Sequence, residues 1–254
     1  MTDYSTHDKD GNKLKSIVPA ANRKFQASWY ENWKDDPASV EPSAEDIKCE
    51  LQLQALSTVE PLKWEIDLGW FKKEIKAYDD KWVPYLRREG VVNNREGLCL
   101  VGLPGDEPWD SLSMPEAIRR AGRELCELDF NTPTQLYHDL KSLQPLLDYW
   151  NPIGRTIIVN SGAGGWFPPH KDQPLLNREC FRVAAFVSNN VTHDAYEWQM
   201  DGRIWPIKAG GVYYIDTRKT HRTHSWKPDS MHVIMNIPKT WENVMKLMSA
   251  TLNY

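Results

Sequence analysis

The chain has 254 residues, 31 basic and 35 acidic, for a formal charge of −4, a balance that argues against the clustered basic surface of a dedicated nucleic-acid binder. Hydrophobic residues are 41% of the chain, enough for a sizeable core, while no run approaches the roughly 18 consecutive apolar residues of a spanning helix. The polar opening, Met1 to Lys13, lacks the basic-then-apolar order of a secretory leader, so the expectation is a cytoplasmic protein with no membrane or nucleic-acid partner.

Residues 1–60 read as a polar, partly ordered arm. Asp35, Asp36, Pro37 and Pro42 interrupt it, and Phe25, Trp29 and Trp33 are spaced for one face of a short helix. Residues 61–150 read as a mainly helical support region. Leu68, Phe71, Ile75, Tyr78 and Trp82 follow a helical face, and Leu98–Leu103 is a short buried strand that could border the main sheet. Ser113-Met114-Pro115-Glu116 and Thr132-Pro133-Thr134-Gln135 both match a capping box with proline in the first turn, which predicts helices near 114–127 and 133–142.

From residue 151 the pattern becomes one of short β-rich runs: Arg155–Ser161, Phe181–Ser188, Ala195–Met200, Arg203–Ile207, Gly211–Thr217 and Met231–Ile237. Asp201-Gly202 between two of them is a type I′ hairpin signal. Residues 151–254 are therefore expected to be an antiparallel β core, closed by a helix from Thr240 to about Met248. The four cysteines, Cys49, Cys99, Cys126 and Cys180, form no C-x-x-C motif and are expected to be free, mostly buried thiols in a reducing compartment. The 12 tryptophans are assigned to packing.

Five of the seven histidines, His170, His193, His221, His224 and His232, fall in the β half. In an extended segment His170 and Asp172 project from one face and can share a metal ion. An H-x-D triplet alone is weak, since roughly 0.5 would arise by chance in a chain of this composition. A facial site needs a second histidine from another strand. His221, after the strand that follows Gly210-Gly211, is the candidate. His224 competes, although its odd spacing from His221 puts it on the opposite face of a strand.

At this point the chain resembles the Fe(II)/2-oxoglutarate-dependent oxygenases, most closely their aspartyl/asparaginyl β-hydroxylase and free-proline hydroxylase branch. The resemblance covers about a third of the chain, Gly154 to Pro238, and is carried by GRTIIVNSGAGGWFPPHKD, FRVAAFV, the Asp201-Gly202 hairpin, AGGVYYIDTRKTHRTHSW and MHVIMNIP. It implies an α+β protein with a double-stranded β-helix (jelly-roll, cupin-like) core buttressed by helices from the first half. It also implies Fe(II) held by His170, Asp172 and His221, with 2-oxoglutarate and O2 as cosubstrates. The implied reaction hydroxylates an unactivated C–H bond of a free amino acid or of a peptide or protein side chain, giving succinate and CO2.

The sequence departs from the family pattern at the cosubstrate anchor. Relatives commonly place an arginine about ten positions beyond the distal histidine, where a guanidinium fork matches a carboxylate; here Met231 and His232 stand there. Arg182 is the leading alternative, because Ala184 beside it on the same strand face leaves room for a ligand. A protonated His232, Arg155, and the neutral donors Asn160 and Ser161 are further candidates. Arg218, Lys219 and Arg222 could attract an acidic substrate, and Trp166 and Trp226 could form the mouth of the site. Two other functions remain open: a cupin-like isomerase or hydrolase that binds metal without 2-oxoglutarate, and a non-catalytic binding module.

Overall fold

The computed structural model describes residues 43–85, 93–150, 154–172, 179–192 and 194–252. The aromatic stripe at Phe25, Trp29 and Trp33, and His193, lie outside them. In chain order the elements are α1 (Ala44–Gln54), β1 (Val59–Glu65), α2 (Leu68–Ile75), β2 (Val83–Pro84), β3 (Arg95–Gly102), α3 (Met114–Ala121), β4 (Thr132–Pro133), α4 (Gln135–Asp139) and α5 (Gln144–Trp150). The second half follows with β5 (Thr156–Ser161), β6 (Trp166–His170), β7 (Cys180–Phe186), β8 (Tyr196–Met200), β9 (Arg203–Ile204), β10 (Gly211–Ile215), β11 (His221–Ser225), β12 (Ser230–Pro238) and α6 (Trp241–Ala250).

From β5 onward the chain alternates between two antiparallel sheets. Strands β5, β12, β7 and β10 are neighbours in the larger sheet, and β6, β11, β8 and β9 form the smaller. This order is a double-stranded β-helix, the jelly roll of cupins. The first half extends the larger sheet at both ends, β1 pairing with β10 and β3 with β5. Residues 61–150 thus contribute strands as well as the expected helices, because the run Leu98-Cys99-Leu100-Val101, apolar on both faces, is buried only by pairing inside the sheet.

Each strand of the larger sheet divides its side chains between two cores. Val183 and Ala185 of β7, Val212 and Tyr214 of β10, and Val233, Met235 and Ile237 of β12 pack outward against α1, α2, α4, α5 and α6 through Leu53, Phe71, Leu136, Leu147, Trp150 and Leu247. The alternate residues Ala184, Phe186, Tyr213 and Ile215 face the smaller sheet and meet Tyr196, Trp198 and Met200. The period-2 alternation therefore decides which residues can reach the barrel interior.

Local chemistry explains several boundaries. Ser113 and Glu116 form the reciprocal capping box, and α3 stops at Ala121 because Gly122 adopts φ 65°, a left-handed helix stop. The helix expected over 133–142 is shorter: Thr132–Pro133 pairs with β3, and Thr134 gives its hydroxyl to the Cys99 carbonyl, so α4 starts only at Gln135. Asp201 and Gly202 both have positive φ, as a type I′ turn requires. Helix α1, inside the stretch expected to be an arm, is opened by a Ser43–Asp46 capping box. All four cysteines are free. Among the described residues no helix is long and apolar enough to cross a membrane.

Candidate metal centre

His170 ends β6 and His221 opens β11, and the two are directly opposite in the β6–β11 register. Their rings lie 4.1 Å apart between centroids. Pro168 and Pro169 can occupy β6 because it is an edge strand, where missing N–H donors cost the ladder little. Asp172 follows β6 and is tied by its backbone N–H to the Thr217 carbonyl, 3.0 Å away, just ahead of β11. Its Oδ1 stands 3.6 Å from His170 Nε2 and 3.9 Å from His221 Nε2. One potential ligand atom from each of His170, Asp172 and His221 falls within 4.8 Å of the others.

The two imidazoles are oriented alike. His170 Nδ1 lies 2.8 Å from the Pro168 carbonyl and His221 Nδ1 lies 3.0 Å from the Lys219 carbonyl. A carbonyl can only accept, so each Nδ1 carries a proton and donates, which leaves each Nε2 as the ring atom facing Asp172. Burial, then the neighbouring His170, pushes the His221 pKa down to about 4, so that ring is neutral at pH 7. Burial opposes ionisation of Asp172, but the Arg182 guanidinium 2.7 Å from Oδ2, aided by the two histidines, holds the carboxyl well below the usual range. Two imidazole nitrogens and one carboxylate oxygen suit a divalent first-row metal bound on one face, and the site is chemically fit for Fe(II).

The expected cosubstrate anchors are placed differently from expectation. Arg182 faces the interior, but its Nη1 pairs with Asp172 and its Nε donates to Asn236 Oδ1 at 2.9 Å, so it acts on the carboxylate that the two histidines face. Asn236, buried on β12, passes the connection on: its Nδ2 donates to Glu127 Oε2 at 2.9 Å and to the Arg155 carbonyl at 2.8 Å. The Arg155 guanidinium belongs to this network, 3.5 Å from Glu127 and donating to the Leu112 carbonyl. His232 is 1% exposed, ringed by Phe186, Tyr196 and Trp198, and pushed by burial and by Arg95 to a pKa of about 3. It is therefore neutral, and the protonated donor expected there does not exist near pH 7. Asn160 alternates with Ile157 and Val159 and shares the outward face of Ile158, which takes it away from the barrel interior; Ser161 faces inward.

The outlying candidates are also accounted for. His224 falls on the outer face of β11, stacked 4.1 Å from the half-exposed Trp226, away from the triad. Arg218 is bound by Asp216 and Glu50, and Arg222 by Glu197 and Gln199. Sequence reading missed Glu127 and Asn236, which carry no local signal. It also missed Arg95, which lies three residues ahead of the expected strand start but on the same alternation as Gly97 and Cys99.

No family model matches the chain, and no curated protein matches it. Among solved structures, the chain is similar to a 2OG-Fe(II) oxygenase family oxidoreductase from Burkholderia pseudomallei, with 12% identity, 76% of this chain and 90% of that one covered, and a TM-score of 0.39. It is also similar to a cupin 2 domain-containing protein from Halorhodospira halophila, at 14% identity over 66% of this chain and 87% of that one, TM-score 0.30. An RmlC-like cupin from Shewanella frigidimarina matches at 12% identity over 33% of this chain and 65% of that one, TM-score 0.26. The fold assignment rests on the strand order described above.

Proposed function

We propose that the protein is an Fe(II)- and 2-oxoglutarate-dependent oxygenase that hydroxylates an amino acid or a peptide or protein side chain. The observation that carries this reading is the convergence of His170, Asp172 and His221 from two strands and a loop, with both Nε2 atoms facing one carboxylate. Bound there, ferrous iron with 2-oxoglutarate and O2 supplies the oxidising chemistry for a C–H bond and leaves succinate and CO2 as coproducts. The substrate class and the cytoplasmic location follow the sequence resemblance.

The chain's own contribution is donor geometry and charge. The Pro168 and Lys219 carbonyls lock both imidazoles in the Nδ1–H tautomer, which keeps Nε2 as the ligand atom. Arg182 keeps Asp172 ionised and fixes the orientation of its carboxylate, and Asn236 fixes Arg182 in turn. Tyr196, Trp198, Phe186 and Tyr213 pack together as an apolar cluster between the sheets.

Anaerobic titration with Fe(II) and then 2-oxoglutarate tests the reading. Wild type is expected to show the visible charge-transfer absorption of a chelated oxo acid. In His170→Ala metal affinity is expected to fall by more than the roughly 10–100-fold that changes in outer-shell partners cause, and the band to vanish. Iron binding with no band would favour a cupin-like enzyme that does not use 2-oxoglutarate, a reading helped by the engagement of Arg182 with Asp172. No iron binding would leave a binding module.

A further inference from the structure

Arg95 opens β3 directly opposite Ser161 of β5, and both face the barrel interior. It is 6% exposed. Buried arginines are otherwise paired with carboxylates, since an uncompensated charge away from water is costly. The other two interior arginines follow that rule, Arg155 with Glu127 and Arg182 with Asp172. Arg95 does not: among the described residues no carboxylate pairs with it, and its Nε and Nη1 are buried without a hydrogen-bond partner. The Ser161 hydroxyl beside it is also buried and unpartnered.

The guanidinium is nonetheless held in place. It stacks 5.3 Å from the Tyr85 ring centroid and 4.8 Å from that of Phe167. Rings over its faces leave the N–H edge as the binding direction, the geometry that matches a carboxylate. Phe167 in turn lies 4.3 Å from the His170 ring, so one aromatic ring separates Arg95 from the metal ligands. Burial depresses the Arg95 pKa, as desolvation does for any cation held away from water.

We propose that Arg95, with Ser161 beside it, is the carboxylate-binding subsite of the barrel and takes the far carboxylate of a short dicarboxylic acid whose other end reaches the His170–Asp172–His221 cluster. The assignment rests on the metal-centre reading above and replaces Arg182 and His232 as anchor. The dicarboxylic acid is an oxo acid that chelates the metal or, by the same chemistry at Arg95, an acidic substrate.

The test uses the Fe(II)-loaded protein without oxygen and three probes: 2-oxoglutarate, 2-oxobutyrate, which lacks the far carboxylate, and glutarate, which lacks the oxo group. Affinities are read from the charge-transfer band and by calorimetry. In Arg95→Met the dissociation constants of 2-oxoglutarate and glutarate are expected to rise about 30-fold or more, as for a truncated buried charge pair, with 2-oxobutyrate unchanged. Equal weakening of all three probes, or an unchanged 2-oxoglutarate affinity, overturns the proposal. Glutarate binding that depends on Arg95, in a wild type that gives no band with 2-oxoglutarate, sinks the oxygenase reading alone and assigns the subsite to an acidic substrate. A band in wild type that survives intact in Arg95→Met sinks the Arg95 assignment alone. A wild type that binds iron but none of the probes overturns it as well. Should Arg95→Met fail to fold, the wild-type ratio decides: a preference for 2-oxoglutarate over 2-oxobutyrate below about tenfold is too small for a buried ion pair and overturns the subsite.

Discussion

Asn236 shows how much of the site depends on single polar atoms far from it in sequence. Its amide accepts from Arg182 and donates to Glu127 and to the Arg155 carbonyl, linking Asp172, through Arg182, to the start of β5. Replacing it with leucine of similar volume would leave the Glu127 carboxylate and Arg182 Nε short of partners inside the protein. Asn236→Leu is expected to cost about 2–3 kcal/mol of stability, read as a lower urea midpoint with an unchanged slope. At this scale the sequence revealed the three ligand candidates through the H-x-D spacing and the distal histidine. It did not reveal the inward-facing Arg95 or the partners of Arg182, because those contacts join positions 10 to 72 residues apart that only the sheets bring together.

Elements were legible where local chemistry decides them. The Ser113–Glu116 box and the Thr240 cap of α6 are interactions within one turn, whereas the left-handed Gly122 ends α3 at Ala121, short of the helix expected to 127. The second expected capping box failed because sheet pairing took Thr132–Pro133 and the Cys99 carbonyl took the Thr134 hydroxyl. These two motifs make a paired prediction. Ser113→Ala removes a formed cap and is expected to cost about 1 kcal/mol, whereas Thr132→Ala removes none and is expected to be nearly neutral in the same thermal-melt series. Strands β6 and β11 are harder to read locally. One contains two prolines and the other alternates polar residues, and each becomes a strand because the smaller sheet places the pair side by side.

For the whole molecule, the interior between the sheets has an acid-sensitive stability. His232 has a folded pKa of about 3, lowered by burial and by Arg95, against about 6.5 when the chain is unfolded. The unfolded state therefore takes up a proton that the folded state refuses. Stability is full above about pH 6.5 and declines as pH falls toward 3. Between pH 6.5 and pH 5 this histidine alone is expected to account for about 2 kcal/mol, with His221 adding to the same slope in the metal-free protein. Urea unfolding at pH 7, 6 and 5 checks this, and His232→Leu should flatten the profile; an unchanged slope would show that His232 titrates normally in the fold.

The sequence by itself determined the period-2 strand pattern of the second half, the Ser113-capped helix and the hairpin turn, because each is written in neighbouring residues, and it named His170, Asp172 and His221 as candidates for one site. The tertiary structure decided the rest. It drew β1 and β3 into the larger sheet, committed Arg182 and Arg155 to carboxylates, kept His232 neutral and left Arg95 buried with no carboxylate partner among the described residues. The physical reason is that a buried charge is defined by what surrounds it, and in a double-stranded β-helix those surroundings come from strands distant in sequence.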